Sequence, residues 1–264
     1  MSAILAAIVW TGNEPSHGNS DADGVRQMGD FSGKSVMVMG GSRGIGAAIV
    51  RRFAAEGANV SFTFSGSPEA AAAVAAETGA TAVKADSADR EAVIASVAAA
   101  GALDILVINA GVLVFGDPLQ TDPDAVDRLI DINVRAPYFA GVEAGRRMHD
   151  NGRIIIIGSV NGDRVPFGGC TAYALSKSAV QGIGRGLARD FGHRGITVNV
   201  VQPGPVDTDM NPADGPMKDI MHAGMAIKRH AHADEVASLV LYLGSPAAAM
   251  ITGTTQTIDG GIGI

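Results

Sequence analysis

Seven short apolar runs, separated by stretches of helical character, constrain this chain more than any other feature. Val36–Met39, Asn59–Phe64, Thr81–Ala85, Leu103–Asn109, Arg153–Ile157, Thr197–Val201 and Thr254–Ile258 are rich in β-branched residues and have strand length. Helices are expected over Ala47–Glu56, Pro68–Thr78, Asp89–Ala99, Asp122–Met148, Ala172–Phe191 and Asp234–Leu243. Asp122 is a suitable cap with Pro123 in the first turn, and Pro137 falls where it would kink or divide the longest helix. Runs without polar alternation are buried on both faces, which requires a parallel sheet with helices above and below it. Right-handed crossovers then give an α/β fold: a single doubly wound Rossmann-type domain with a sheet of about seven parallel strands.

The chain has 264 residues, of which 47% are hydrophobic, enough for one large core. Its 35 glycines fall mostly between the apolar runs, where tight turns need them. A net charge of −7 argues against a nucleic-acid polymer or an anionic membrane as partner. No apolar run approaches the ~18 residues of a membrane span. Cys170 is the lone cysteine, so no intrachain disulfide forms and a reducing, cytoplasmic setting is expected. It reads as a small apolar filler rather than a nucleophile. Residues 1–29 read as a disordered extension to a domain over 30–264: Ile4–Trp10 is apolar but lacks a basic flank, and Thr11–Gly29 is polar. Met28 is an alternative start, which would leave residues 1–27 outside the native protein.

Two stretches carry chemistry. Gly40-Gly41-Ser42-Arg43-Gly44-Ile45-Gly46 joins the first strand to its helix. Gly44 and Gly46 remove side chains where backbone must approach a pyrophosphate at a helix N-terminus; the bland alternative is a plain glycine turn. The second stretch runs from Ser159, at the end of the isoleucine run, to Tyr173 and Lys177. Tyr173 and Lys177 stand one helical turn apart on one face. A free phenol titrates near ~10, and a neighbouring ammonium would lower that value toward the range useful for proton transfer. Ser159 could then bond a substrate oxygen while Tyr173 moves a proton, an arrangement suited to hydride exchange between a carbonyl and a nicotinamide. The same pair also occurs on ordinary solvated helices.

These motifs resemble, in order and spacing, those of the short-chain dehydrogenase/reductases: Gly40-x-x-x-Gly44-x-Gly46, Asn109-Ala110-Gly111, Asn133, Ser159, Tyr173-x-x-x-Lys177 and Pro203-Gly204. The resemblance spans Phe31 to the C-terminus. It implies that Asn109, Ala110 and Gly111 lie under the adenine ribose, and that Asp86 and Ser87 meet the adenine. Asn133 would hold a water behind Lys177, Ser159 would polarise the carbonyl, and Tyr173 would be the acid/base. Lys177 would hold the nicotinamide ribose and lower the Tyr173 pKa. Pro203, Gly204, Val206 and Thr208 would face the carboxamide. A homotetramer is implied, with the last strand and the Ala172–Phe191 helix near its contacts. Met39 departs from the family, which usually has Thr there; a looser turn is expected, not lost binding. Within the family, GSVNGDR, ARDFG, VVQPGPVDTD, NPADGPM and AIKRH look most like members described as binding cyclic di-GMP in biofilm dispersal, and more loosely like 3-oxoacyl-carrier-protein reductases.

The second strand ends in Phe64-Ser65-Gly66-Ser67, with no carboxylate to bond an NAD ribose, while Arg43 supplies a cation and Ser65 or Ser67 a hydroxyl. NADP(H) is therefore the expected cofactor. Beyond Ser159, Asp163 and Arg164 either pair with each other or leave Arg164 for a phosphate or carboxylate. His222, Lys228, Arg229, His230 and His232 read as a surface or subunit-contact cluster after the flexible Asn211–Gly215, not as a metal site, and the whole of Met210–Met225 is expected to be mobile. Two functions follow: an NADPH-dependent oxidoreductase acting on a carbonyl or alcohol, or a cyclic di-GMP-binding regulator built on the same scaffold.

Overall fold

The computed structural model describes residues 31–264; the expected extension and the alternative start at Met28 lie outside the described residues. Seven strands form one parallel sheet: β1 (Ser35–Met39), β2 (Asn59–Phe64), β3 (Thr81–Lys84), β4 (Ile105–Ile108), β5 (Arg153–Ile157), β6 (Thr197–Pro203) and β7 (Thr255–Ile258). Their order is β3-β2-β1-β4-β5-β6-β7. The chain winds outward from β1 to β3, returns, and winds the other way from β4, so the strand order reverses between β1 and β4. Neighbouring crossovers diverge there and leave a crevice at the carboxyl ends of the strands.

Alternation along each strand divides the core in two. Val36, Val38, Ile155 and Ile157 point to one face, under α1 (Gly44–Ala55), α2 (Pro68–Thr78) and α8 (Ala233–Gly244). Met37, Met39, Ile154 and Ile156 point to the other, under α3 (Arg90–Ala99), α5 (Ala136–Arg147) and α6 (Thr171–Phe191). Each buried Ile or Leu contributes about 1.5–3 kcal/mol, so both faces are committed. Small residues let the layers close: Ala140 and Ala144 of α5 and Gly184 of α6 are all buried.

The expected long helix from Asp122 is divided into three. Asp122 caps α4 (Pro123–Ile130) through its side chain, a π turn covers Asp131–Arg135, and α5 follows. Pro137 has no N–H to give the carbonyl four residues back, which is that of Asn133, and the helix widens immediately before it. A further helix, α7 (Lys218–Gly224), forms in the segment expected to be flexible. Among the described residues no helix is long and apolar enough to cross a membrane.

Candidate functional site

The glycine turn between β1 and α1 is shaped by what surrounds it. Gly40 and Gly44 have φ of 78° and 50°, a region that L side chains rarely adopt. A Cβ on Gly46 would lie 2.0 Å from the Gly40 carbonyl oxygen and 2.5 Å from Asn109 Nδ2. Those two atoms are already bonded: Asn109 Nδ2 donates to the Gly40 oxygen at 2.8 Å. The Asn109 and Ala110 N–H groups both donate to the Met39 carbonyl, at 3.1 and 2.8 Å. Thr63, buried in β2, receives the Gly40 N–H on its hydroxyl at 3.0 Å and the Gly41 N–H on its carbonyl at 2.9 Å. A hydroxyl for the turn thus comes from the neighbouring strand, and Met39 fills the core.

On the β4–β5 side, the catalytic candidates gather around one buried network. Asn133, in the π turn, accepts the Val112 N–H at 2.9 Å, and its Nδ2 donates to the Val112 carbonyl at 2.9 Å and to Ser176 Oγ at 3.0 Å. Ser176 donates onward to the Tyr173 carbonyl at 2.7 Å. Lys177 Nζ donates to the Ile157 carbonyl at 3.0 Å and stands 5.7 Å from the centre of the Tyr173 ring. Ser159 follows the end of β5, accepts the Asn161 N–H at 3.2 Å, and is hydrogen-bonded to Tyr173.

Electrostatics here differ in one respect from the sequence expectation. Burial pushes the Tyr173 phenol up, and the Ser159 hydrogen bond opposes this only in part. Burial also pulls the Lys177 ammonium down, to about 8. Lys177 is thus at least as desolvated as the phenol it was expected to acidify, and its Nζ faces the Ile157 carbonyl and the ring rather than bonding the hydroxyl. Cys170, buried one turn before Tyr173, has its thiol pushed up by burial, as suits a filler.

A cavity of about 860 Å³ joins these parts. Gly40, Ser42, Arg43, Gly44 and Ile45 line it, while Gly46 sits behind them at the closest approach of backbone. Ser65, Asp86, Ser87, Asn109, Ala110 and Gly111 continue the wall. Ser159, Tyr173 and Lys177 reach it, as do Pro203, Gly204, Val206 and Thr208, while Asn133 lies buried behind. Every cofactor-side residue expected from sequence is therefore in or directly under one crevice. The turn, with its side-chain-free backbone, fits a pyrophosphate.

Arg128 was not foreseen; it donates to both Asp86 carboxylate oxygens, at 3.3 and 3.1 Å, and lines the same wall. The Ala88 N–H, together with Arg128, holds the Asp86 carboxyl below the usual carboxylate range against the opposing effect of burial. A lone Arg in a helical pattern gave no signal for this partnership. Arg43 meets Asp209 at 3.5 Å with both side chains exposed, a pair worth under about 1 kcal/mol.

Other expectations are revised. Asp163 and Arg164 do not pair: Asp163 accepts from Gln181 Nε2 at 2.8 Å, and Arg164 donates to the Gly263 and Ile264 carbonyls at 2.8 and 2.7 Å. The histidines are not uniformly at the surface, because His230 is buried and its Nδ1 lies 2.8 Å from His222 Nε2 on α7. Among the described residues no group of three His, Cys, Asp or Glu side chains could hold a metal ion.

Comparison with known proteins agrees with this geometry. A family model described as Enoyl-(Acyl carrier protein) reductase matches residues 40–263. The cyclic-di-GMP-binding biofilm dispersal mediator protein of Escherichia coli K12 is 63% identical over 236 residues, covering 89% of this chain and all of that protein. The crystal structure of BdcA in complex with NADPH superposes with a TM-score of 0.88 at 63% identity, over 88% of this chain and 96% of that one. A short-chain dehydrogenase from Burkholderia cenocepacia J2315 in complex with NADP gives a TM-score of 0.86 at 47% identity, over 89% of this chain and all of that one.

Proposed function

Since the chain belongs to the short-chain dehydrogenase/reductase family, we propose that it is an NADP(H)-dependent oxidoreductase that interconverts a carbonyl and an alcohol, with Tyr173 as the proton donor and acceptor. The observation that carries this reading is that Ser159, Tyr173 and Lys177 open onto the same cavity as the glycine turn, with Asn133 bonded behind them. The cofactor, when bound, supplies the hydride that reduces the carbonyl carbon.

This chain's own groups do the rest. Ser159 holds the substrate oxygen by a hydrogen bond, and Tyr173 passes its phenolic proton to that oxygen as negative charge develops there. Lys177, at a pKa of about 8, is charged at neutral pH and stabilises the phenolate left behind through the low-dielectric interior. Its ammonium would also hold the ribose of the cofactor by donating hydrogen bonds to it. Asn133 fixes the π turn and, through Ser176, the first turn of α6 that carries Tyr173. Arg43 and Ser65 would hold the 2′-phosphate, and β2 offers no carboxylate to repel it. The NADPH and NADP complexes of relatives support that preference.

Tyr173→Phe is the test: it keeps NADPH affinity and loses turnover, and an active variant overturns the mechanism. Arg43→Ala should weaken NADPH while sparing NADH. A homotetramer in the cytoplasm belongs to the same reading, supported by exposed Tyr138 on α5 and Leu175 on α6, and light scattering of the purified protein tests the assembly.

A second reading, binding of cyclic di-GMP, is favoured by the identity to the Escherichia coli mediator. Its two phosphates need cations, and Arg43 and Arg128 stand at the cofactor end of the cavity. Calorimetric titration of cyclic di-GMP with and without NADPH distinguishes the cases. Micromolar binding that NADPH abolishes supports it, and no heat rejects it.

A further inference from the structure

We propose that segment 259–264, held by Arg164, is the wall that selects the substrate, and that the substrate it selects is an uncharged apolar ketone or aldehyde. This inference rests on the oxidoreductase reading and names its substrate class.

Apart from Lys177, which stands beside Tyr173, the charged side chains that line the cavity belong to its cofactor half. Arg43 and Asp209 face each other beside the glycine turn, Asp86 and Arg128 pair beyond β3, and Lys177 is bonded under β5. The opposite end, around Ser159 and Tyr173, is lined by Phe115, Phe167, Met217, Met221 and Ile262. Phe115 and Phe167 meet edge to face at 6.4 Å, and the Gly116 N–H bonds the Gly169 carbonyl at 3.0 Å, so that aromatic corner is built rather than loose. The nearest cation to an anion placed there is Lys177, whose ammonium already donates to the Ile157 carbonyl, so the anion would lose its hydration without a partner of its own.

Arg164 is the cation that sequence would offer such an anion, and it is committed elsewhere. It does not line the cavity but bonds the Gly263 and Ile264 carbonyls from outside. The segment it grips is folded deliberately. Asp259 accepts the Gly261 and Gly263 N–H groups on its two carboxylate oxygens at 2.9 and 2.8 Å. Gly260 and Gly261 take φ of 61° and 76°, and the Ile227 N–H bonds the Gly260 carbonyl at 2.8 Å. A Cβ on Gly263 would come 2.7 Å from Asp259 Oδ2 and 3.2 Å from Val160. This sets Ile262 into the cavity wall. Arg164 is a positioning residue that acts on substrate through Ile262.

The experiment compares 4-phenyl-2-butanone with its carboxylate counterpart, 2-oxo-4-phenylbutanoate, by calorimetry on Tyr173→Phe protein saturated with NADPH, so that binding is read without turnover. The uncharged ketone should bind at least about tenfold more tightly, since the carboxylate must be desolvated without a partner. Adding Arg164→Met should cut that preference to threefold or less by weakening the ketone, with NADPH affinity unmoved and Arg164→Lys restoring the difference. Ile262→Ala should have the same selective effect without touching the clasp. The inference is overturned if the carboxylate binds as well as the ketone, if neither binds, or if Arg164→Met weakens the carboxylate alone, which would make Arg164 the anion's own partner. Failure of the oxidoreductase reading is seen separately, as NADPH consumption by wild-type protein that Tyr173→Phe does not reduce.

Discussion

Asn133 donates through Nδ2 to Ser176 Oγ across 3.0 Å of fully buried space, and so ties the π turn to the helix that carries Tyr173 and Lys177. Ser176→Ala leaves that Nδ2 with one acceptor, the Val112 carbonyl. Such a vacated buried partner costs about 1–3 kcal/mol. The expected outcome is a lower urea midpoint and a kcat reduced several-fold with NADPH affinity intact. Equal losses in kcat and in cofactor binding would place Ser176 outside the proton-transfer network.

Gly46→Ala tests the closest backbone approach. Its Cβ would meet the Gly40 oxygen at 2.0 Å, well inside any tolerated contact, so the turn must open. NADPH affinity should fall by at least about tenfold, in line with a strain above ~1.4 kcal/mol. Fluorescence titration checks it, and unchanged affinity would mean that the turn does not hold the cofactor.

Burial of Lys177 makes function oppose stability. Its pKa is about 8 in the fold against 10.5 unfolded, so the folded chain binds fewer protons between those values and gains stability as pH rises through them. The full penalty is present below about 8. Lys177→Met removes it and should stabilise the apoprotein at pH 7 by on the order of 2–3 kcal/mol, after loss of the hydrogen bond to Ile157. That advantage should shrink as pH rises toward 10.5 and vanish above it, where both states of the wild type are deprotonated. Melting curves at pH 7 and at high pH measure it; an advantage independent of pH would exclude the buried charge as its cause.

His230 supplies the acid-side counterpart. Burial lowers its pKa, His222 and Lys218 push the same way, and Asp207 opposes them. The folded state therefore takes up its proton later than the unfolded chain, and stability is lost as pH falls below about 6.5 toward the folded value. Wild-type melting temperature should drop more steeply than that of His230→Gln over this window. Parallel slopes would show that the pair linking α7 to the chain before α8 does not titrate with folding.

Much of this was legible in sequence because it depends on local patterns. Continuous apolar runs such as Ile154–Ile157 imply burial on both faces, and Gly40, Gly44 and Gly46 mark a turn that only small residues can make. Tyr173 and Lys177 share a face by helical spacing alone. What stayed hidden depends on contacts between residues far apart in the chain. Thr63 supplies the hydroxyl missing at Met39 from another strand, Arg128 reaches Asp86 across 42 positions, and Arg164 bonds the chain some 100 residues on. No periodicity carries such information. Pro137 did signal a break in the long helix, but not that a π turn would absorb it.

That π turn also sets the tolerance of this region to changes in length. Each α-helical residue turns the chain by about 100°, so loss of one codon within Asp131–Arg135 would restore a regular helix and rotate α4 by that angle relative to α5. Asn133 would swing off the Val112–Ser176 line although no remaining side chain had changed. An exposed side chain of this region can therefore be exchanged at little cost, whereas loss of a single residue from the π turn would dismantle the network behind Tyr173.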